Sequence, residues 1–111
     1  MLAELEIVPI GTNQASLSTL LAEVVKAVYA SGLDYRVGPM GTVVEGPWDQ
    51  VMEMAKRCHY LALQSCKRVM TTIRIDDRTD KPDRGRIVQK VQSLEAKLGK
   101  SLRTPSPRKT S

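Results

Sequence analysis

The chain has 111 residues, of which 41% are hydrophobic, 26% are charged and 4% are aromatic, with no Phe. This length accommodates one domain with a single core, and the composition requires that core to be mainly aliphatic. No apolar run reaches the roughly 20 residues that a membrane helix needs, and the N-terminus lacks a secretory pattern, so we expect a cytoplasmic protein.

The net charge of +5 is concentrated at the C-terminal end of the chain. Residues 100–111, KSLRTPSPRKTS, contain four basic residues and no acidic one, which leaves residues 1–99 with a net charge of only +1. Such a polar segment cannot bury enough apolar surface to fold. We therefore predict a domain over residues 1–99 followed by a basic disordered tail over 100–111, and the charge does not favour nucleic acid as a partner.

The beginning of the chain predicts a strand and then a helix. Apolar and polar residues alternate over Met1–Ile10, which is typical of a half-buried strand, and Pro9 and Gly11 are expected to end it. From Ser16 to Ser31, apolar residues recur every three or four positions, as on one face of an amphipathic helix. Ser16 is the expected N-cap of this helix and Gly32 its stop.

The rest of the chain predicts a hairpin, a second helix, a strand and a third helix. These elements are expected over residues 34–38, 42–45, 47–62, 67–76 and 87–98. Pro47 suits the first turn of the second helix, and Gly99 ends the third. The order is β-α-β-β-α-β with an added C-terminal helix. It predicts an α+β, ferredoxin-like fold, in which two helices cover one face of a four-stranded antiparallel sheet.

The other face of the predicted sheet carries a mixture of side chains. Its charged residues are expected to be Glu4, Glu6, Arg36, Glu45 and Arg74. Its apolar residues are expected to be Leu2, Val8, Met70 and one of Val43 and Val44. A purely solvated face would be more polar, so we predict a homo-oligomer whose subunit contacts create pockets for a small molecule.

Residues suited to catalysis or metal binding are sparse. His59 lies off the apolar stripe of its helix and is expected to be solvated, while Cys58 and Cys66 match neither a zinc nor a redox spacing. No phosphate-binding or dinucleotide motif is present. Tyr35 is the only aromatic residue in a predicted strand, which does not favour RNA stacking. We therefore predict a protein that is not an enzyme and has no metal site or cofactor.

The segment from Tyr35 to Gly46 combines several residues that suit a ligand site. Pro39 and Gly41 place Met40 at a bend, and Thr42 and Glu45 follow on a strand. A thioether, a hydroxyl and a carboxylate together suit a flat, nitrogen-rich cation or heterocycle. The alternative is that the Gly and Pro residues simply form a hairpin.

The sequence GLDYRVGPMGTVVEG, residues 32–46, resembles the characteristic segment of a family of small thiamine-binding proteins. Residues 6–11 and 68–78 are similar to the same family, so the resemblance spans about residues 1–98. It implies a ferredoxin-like fold, dimers or tetramers formed through sheet faces and edges, and non-catalytic binding of thiamine or its hydroxymethylpyrimidine moiety. The ligand-binding residues that it implies are Thr12, Ser18, Pro39, Met40, Gly41, Thr42 and Glu45.

Three functions remain open from the sequence. The leading one is a cytoplasmic carrier or sensor of thiamine or its pyrimidine, in which Glu45 complements the pyrimidine and Met40 packs on its face. The alternative is a structural or regulatory homo-oligomer whose basic tail recruits an acidic partner. An enzyme that uses His59 or Cys58 ranks last.

Overall fold

The structure, a computed structural model, describes residues 1–11, 17–80 and 85–103, without the side chains of Leu17 and Ser18. Its elements are β1 (Leu2–Ile10), α1 (Leu17–Ala30), β2 (Asp34–Val37), β3 (Thr42–Glu45), α2 (Trp48–Ser65), β4 (Arg68–Asp76) and α3 (Arg86–Leu98). The predicted order of elements and the ferredoxin-like fold are confirmed. The expected N-cap Ser16 and tail residues 104–111 lie outside the described residues.

The four strands form one antiparallel sheet in the order β2-β3-β1-β4. β4 pairs with the whole of β1, from Leu2 opposite Asp76 to Ile10 opposite Arg68. β3 is shorter and pairs only with the first part of β1, from Leu2 opposite Glu45 to Leu5 opposite Thr42. On the β3 side, therefore, the second half of β1 has no described strand beside it.

The core lies between the sheet and the helices α1 and α2. Alternation along each strand directs one set of side chains towards the helices. The most deeply buried of the core side chains are Met1, Val28, Val44, Val51 and Cys58. Tyr35 is the single aromatic side chain in the buried core of the described residues, as the composition predicts. Because Val44 is fully buried in this core, its neighbour Val43 faces the opposite side of the sheet.

β1 runs through Pro9 to Ile10, although Pro9 is one of the two residues that the sequence predicts to end the strand. The backbone N–H of Gly46 donates to the carbonyl of Met1 at 3.0 Å. Because main-chain groups alternate between the two sides of a strand, the odd-numbered residues of β1 direct theirs towards β3. Pro9 therefore lacks an N–H only on the side where none of the described strands pairs with it, and its ladder with β4 stays intact.

α3 packs on the face of the sheet opposite α1 and α2. Arg86, at the start of α3, is 4% exposed. Its guanidinium donates to the backbone carbonyl and to Oδ2 of Asp76, each at 2.8 Å. Lys90 donates to the same carboxylate at 2.7 Å. These bonds, that from Lys90 foremost, hold the pKa of Asp76 below its usual range.

A cleft of about 480 Å³ lies between α3 and the sheet. Leu2 and Val43 contribute to its floor, and Ile87 and Val91 of α3 line its side. One end of the face that the sequence analysis expects to be open is thus covered by α3. Among the described residues, no helix is both long and apolar enough to cross a membrane.

Candidate functional site

A groove of about 360 Å³, here called the β1 groove, lies where the β2–β3 turn approaches α1 and the second half of β1. Its lining residues are Leu5, Glu6, Ile7, Val8, Leu21, Val24, Val25, Val37, Gly38, Pro39, Met40, Gly41 and Thr42. The groove exists because β3 begins only at Thr42 and leaves the rest of β1 uncovered on that side. It therefore combines strand backbone, helix side chains and a tight turn.

Four of the predicted ligand-binding residues, Pro39 to Thr42, line this groove together. The N–H of Gly38 donates to the carbonyl of Gly41 at 2.9 Å and closes the turn between the strands. Met40 at the tip of the turn is 77% exposed, so its flexible side chain is available to a ligand. Thr12 and the side chain of Ser18 lie outside the described residues.

Gly41 is required for the close approach of the turn to β1. A Cβ atom at this position would lie 3.1 Å from the backbone oxygen of Leu5 and 3.3 Å from Cγ of Glu4. The nearer atom belongs to a paired strand, so it cannot easily move away. A glycine at this point keeps the rim of the groove against the strand.

Glu45 lies at the opposite end of β3 and is not among the residues that line the groove. It is 2% exposed. Its two carboxylate oxygens accept the backbone N–H groups of Gly85 at 3.0 Å and Arg86 at 2.9 Å. Glu45 thus satisfies two of the free N–H groups in the first turn of α3. The structure places it in the anchor of α3, whereas the sequence analysis proposes it as a ligand residue.

The residues that line the groove include polar ones. Thr42 carries a hydroxyl and Glu6 a carboxylate, and Ile7 belongs to the part of β1 beyond the end of β3. Glu6 is exposed, and no Lys or Arg among the described residues forms an ion pair with it. Glu6 and Ile7 line the groove but are not among the residues predicted from the sequence. Alternation assigns Glu6 to the solvated face, and the availability of a main-chain group cannot be inferred from the residue type.

Apolar side chains form the walls of the groove. Leu21 of α1 is 47% exposed and Val37 of β2 is 43% exposed, although both are large aliphatic residues. Val25 lies beside Leu21 on the same helix. Small-molecule sites typically combine such apolar walls with a few polar groups that fix orientation. This groove therefore suits a flat ring with a positive or hydrogen-bond-donating edge.

The residues considered for catalysis lie elsewhere. His59 is half-buried rather than solvated, because α2 packs over β4 and its Nδ1 lies 2.6 Å from Oγ1 of Thr71. Cys58 is fully buried, and burial raises the pKa of its thiol to about 11. The described residues contain no cluster of three or more His, Cys, Asp or Glu side chains suited to a metal ion.

Comparison of the sequence with known proteins identifies the family to which the chain belongs. The sequence model described as "Thiamine-binding protein" matches residues 3–95. A UPF0045 protein of Methanothermobacter thermautotrophicus is 41% identical over 98 residues, which cover 86% of this chain and 97% of that protein.

Two solved structures are similar to the chain. Hypothetical protein MJ1052 from Methanocaldococcus jannaschii has a TM-score of 0.75 at 30% identity, with 84% of this chain and 93% of that chain covered. A candidate thiamine biosynthesis/salvage protein from Thermotoga maritima has a TM-score of 0.68 at 24% identity, with 80% and 95% covered. The second likeness concerns the fold alone.

Proposed function

Because the chain belongs to the thiamine-binding protein family, we propose that its β1 groove binds thiamine or the hydroxymethylpyrimidine moiety of thiamine. The observation that carries this proposal is the meeting of Pro39, Met40, Gly41 and Thr42 at one groove. The resemblance of residues 32–46 to the family points to the same four residues independently of the geometry. The proposed role is that of a cytoplasmic carrier or sensor.

The groove supplies the chemical groups that such a ligand requires. Thiamine joins an aminopyrimidine to a permanently cationic thiazolium ring. In the proposed complex Met40 packs on a ring face and the Thr42 hydroxyl accepts or donates a hydrogen bond. Glu6 supplies the negative charge that the sequence analysis assigned to Glu45, because both oxygens of Glu45 already accept backbone N–H groups.

We propose binding without catalysis. A nucleophile or a general base must lie within reach of the bound molecule, and neither Cys58 nor His59 is among the residues that line the groove. The high pKa of Cys58 keeps its thiol protonated at neutral pH. Within the groove, the side chains of Glu6, Thr42 and Met40 are suited to binding and orientation.

Calorimetric titration tests the proposal directly. We expect thiamine and hydroxymethylpyrimidine to bind the wild-type protein, and Glu6→Gln to weaken thiamine binding about tenfold, equivalent to about 1.4 kcal/mol. Glu23→Gln is the matched control, because Glu23 is exposed on α1 and pairs with Lys26 outside the groove. Absence of both heat and a thermal shift at millimolar ligand would refute the proposal.

We also propose that the protein forms a dimer or tetramer. β4 is the last strand of the sheet, so its outer edge has no described partner. On the same side of the molecule, Met70 is 54% exposed and Val8 is 41% exposed on the sheet face. An open strand edge beside exposed apolar side chains is typical of a surface that self-associates. Recruitment of an acidic partner by the tail stays a prediction.

A further inference from the structure

We propose that the main chain of Ile7 is the specificity-determining element of the β1 groove. Its N–H and C=O groups form hydrogen bonds with a ligand edge on which an acceptor lies beside a donor. The inference rests on the proposed function for the location of the site, but not for the identity of the ligand. It names a residue whose side chain gives no indication of this role.

The direction of the Ile7 main chain follows from the registers of the sheet. Met1 exchanges hydrogen bonds with Gly46, and the ladder between β1 and β3 then pairs Ala3 with Val44 and Leu5 with Thr42. Each odd-numbered residue of β1 therefore directs both main-chain groups towards β3. The next in the series is Ile7, which lies beyond the end of β3 and lines the groove.

The opposite side of Ile7 does not use these groups. β4 pairs with β1 along the full length of both strands, with Glu6 opposite Thr72 and Val8 opposite Met70. By the same alternation, the even-numbered residues exchange the hydrogen bonds with β4. Ile7 is left with one donor and one acceptor that no described strand satisfies. A half-buried N–H and C=O of this kind gain most from a partner that supplies both complements.

The open edge is long enough for a small molecule but too short for a strand. The position two residues after Ile7 is Pro9, which has no N–H to donate. In the other direction, Leu5 is already paired with Thr42 of β3. An added peptide strand needs several donors and acceptors in series, and beyond β3 this edge offers one donor, the N–H of Ile7, and two acceptors, the carbonyls of Ile7 and Pro9. The geometry therefore favours a compact heterocycle over a peptide.

The hydrogen-bonding groups of Ile7 distinguish between the pyrimidine and the thiazolium ring of thiamine. A 4-aminopyrimidine carries an exocyclic N–H donor next to a ring nitrogen that accepts, which matches one carbonyl and one N–H. A thiazolium ring has neither an N–H nor a free lone pair on its quaternary nitrogen. Ile7 is thus expected to select the pyrimidine, with Leu21 and Met40 as apolar walls around it.

Substitution by proline removes the N–H of Ile7 and leaves the β4 ladder unchanged. Ile7→Ala is the matched control, because both variants lose the side chain that packs against the core. The probes are hydroxymethylpyrimidine, its analogue without the 4-amino group, and thiamine. We expect Ile7→Pro to bind hydroxymethylpyrimidine at least tenfold more weakly than Ile7→Ala does. In the wild type, the analogue should bind about tenfold more weakly than hydroxymethylpyrimidine.

Amide NMR of the wild-type protein gives a second test if Ile7→Pro fails to fold. On saturation with hydroxymethylpyrimidine, the Ile7 amide proton should shift downfield and exchange more slowly with solvent. An unmoved Ile7 amide on saturation, or equal affinities of folded Ile7→Pro and Ile7→Ala, overturns the inference. Binding of hydroxymethylpyrimidine at Ile7 without binding of thiamine supports the inference and leaves thiamine excluded as ligand. If no probe binds at millimolar concentration, both proposals are wrong.

Discussion

At the scale of single residues, the two cysteines have different surroundings. Cys58 is completely buried between α1 and α2, with its Sγ 3.7 Å from the carbonyl of Val24. Cys66 follows the end of α2 and is only half-buried. Thiolate is the reactive form of cysteine, and burial in apolar surroundings disfavours it. The difference in burial between the two thiols therefore predicts a difference in reactivity.

We expect a disulfide reagent at neutral pH to modify Cys66 rapidly and Cys58 only after unfolding. The raised pKa of Cys58 also has a consequence for stability. Its contribution is fully present below the ordinary thiol pKa of 9.0 and is lost as the pH rises towards the folded value of about 11. Thiol titration of the native and urea-unfolded protein measures the first effect. The pH dependence of unfolding in Cys58→Ala and wild type measures the second.

In Cys66→Ser only the buried thiol remains, so this variant is the control. Rapid modification of the native Cys66→Ser variant would contradict the assignment. A wild-type protein whose unfolding free energy does not fall relative to Cys58→Ala between pH 9 and pH 11 would contradict the linkage.

At the scale of elements, the start of α3 depends on a residue of β3. Gly85 precedes the helix in a left-handed conformation, with φ of 78°, and has no side chain to act as a cap. The carboxylate of Glu45 takes this role across the fold. Since Arg86 is anchored to Asp76 at the same place, the first turn of α3 is its firmest contact with the sheet.

We expect Glu45→Gln to lower the free energy of unfolding by about 2–3 kcal/mol, because a charged acceptor of two backbone N–H groups is lost inside the protein. Thiamine affinity should change little at a temperature where the variant is folded. Urea denaturation and calorimetry measure the two quantities. The control is Glu4→Gln, which breaks an exposed pair with Arg74 and should cost no more than about 1 kcal/mol.

The opposite outcome for Glu45→Gln would support a role of Glu45 in ligand binding. Unchanged stability together with a loss of thiamine binding in Glu45→Gln would mean that this carboxylate contacts the ligand, as the sequence analysis proposes. The experiment therefore decides between two roles for one residue.

Elements could be predicted from the sequence far better than the contacts between them. The period of two in β4 and the period of three to four in α2 give both elements to within a few residues. The position of α3 could not be predicted in this way, because it depends on a contact between Glu45 and Gly85, which are 40 positions apart in the sequence. Likewise Pro9 ends a strand in most settings, and only the register shows that its missing N–H faces an edge at which no described strand pairs.

For the candidate site, the turn was predictable and the strand beside it was not. Pro39, Met40 and Gly41 are marked by residue types that bend the chain and expose a flexible side chain. Ile7 is chemically ordinary, and the role proposed for it rests on the unequal lengths of β1 and β3. Glu6 is one carboxylate among several on alternating positions, and no sequence feature distinguishes it from Glu4.

At the scale of the whole molecule, the surface opposite α1 and α2 remains only partly covered. α3 covers one end, while Leu94 and Leu98 on its later turns are 53% and 60% exposed. Met70, on the same side of the sheet as α3, is 54% exposed. A second copy of the chain is the proposed occupant of this surface.

We expect light scattering to give a mass of two or four chains for the wild type, and a smaller assembly for Met70→Lys, because the new charge would be buried in the interface. Leu63→Lys is the control. Leu63 is an exposed apolar residue of α2, on the other face of the sheet. A monomeric wild type at micromolar concentration would contradict the proposal, and so would an unchanged assembly in Met70→Lys.

The cap supplied by Glu45 also bears on the order of folding. Helices usually nucleate from local contacts, but the first turn of α3 is completed by a residue 41 positions earlier than Arg86. Closing so long a loop is slow compared with forming a helical turn, so α3 should consolidate after β3 has joined β1. During refolding, the amides of Gly85 and Arg86 would then acquire protection from hydrogen exchange later than those of α1 and α2.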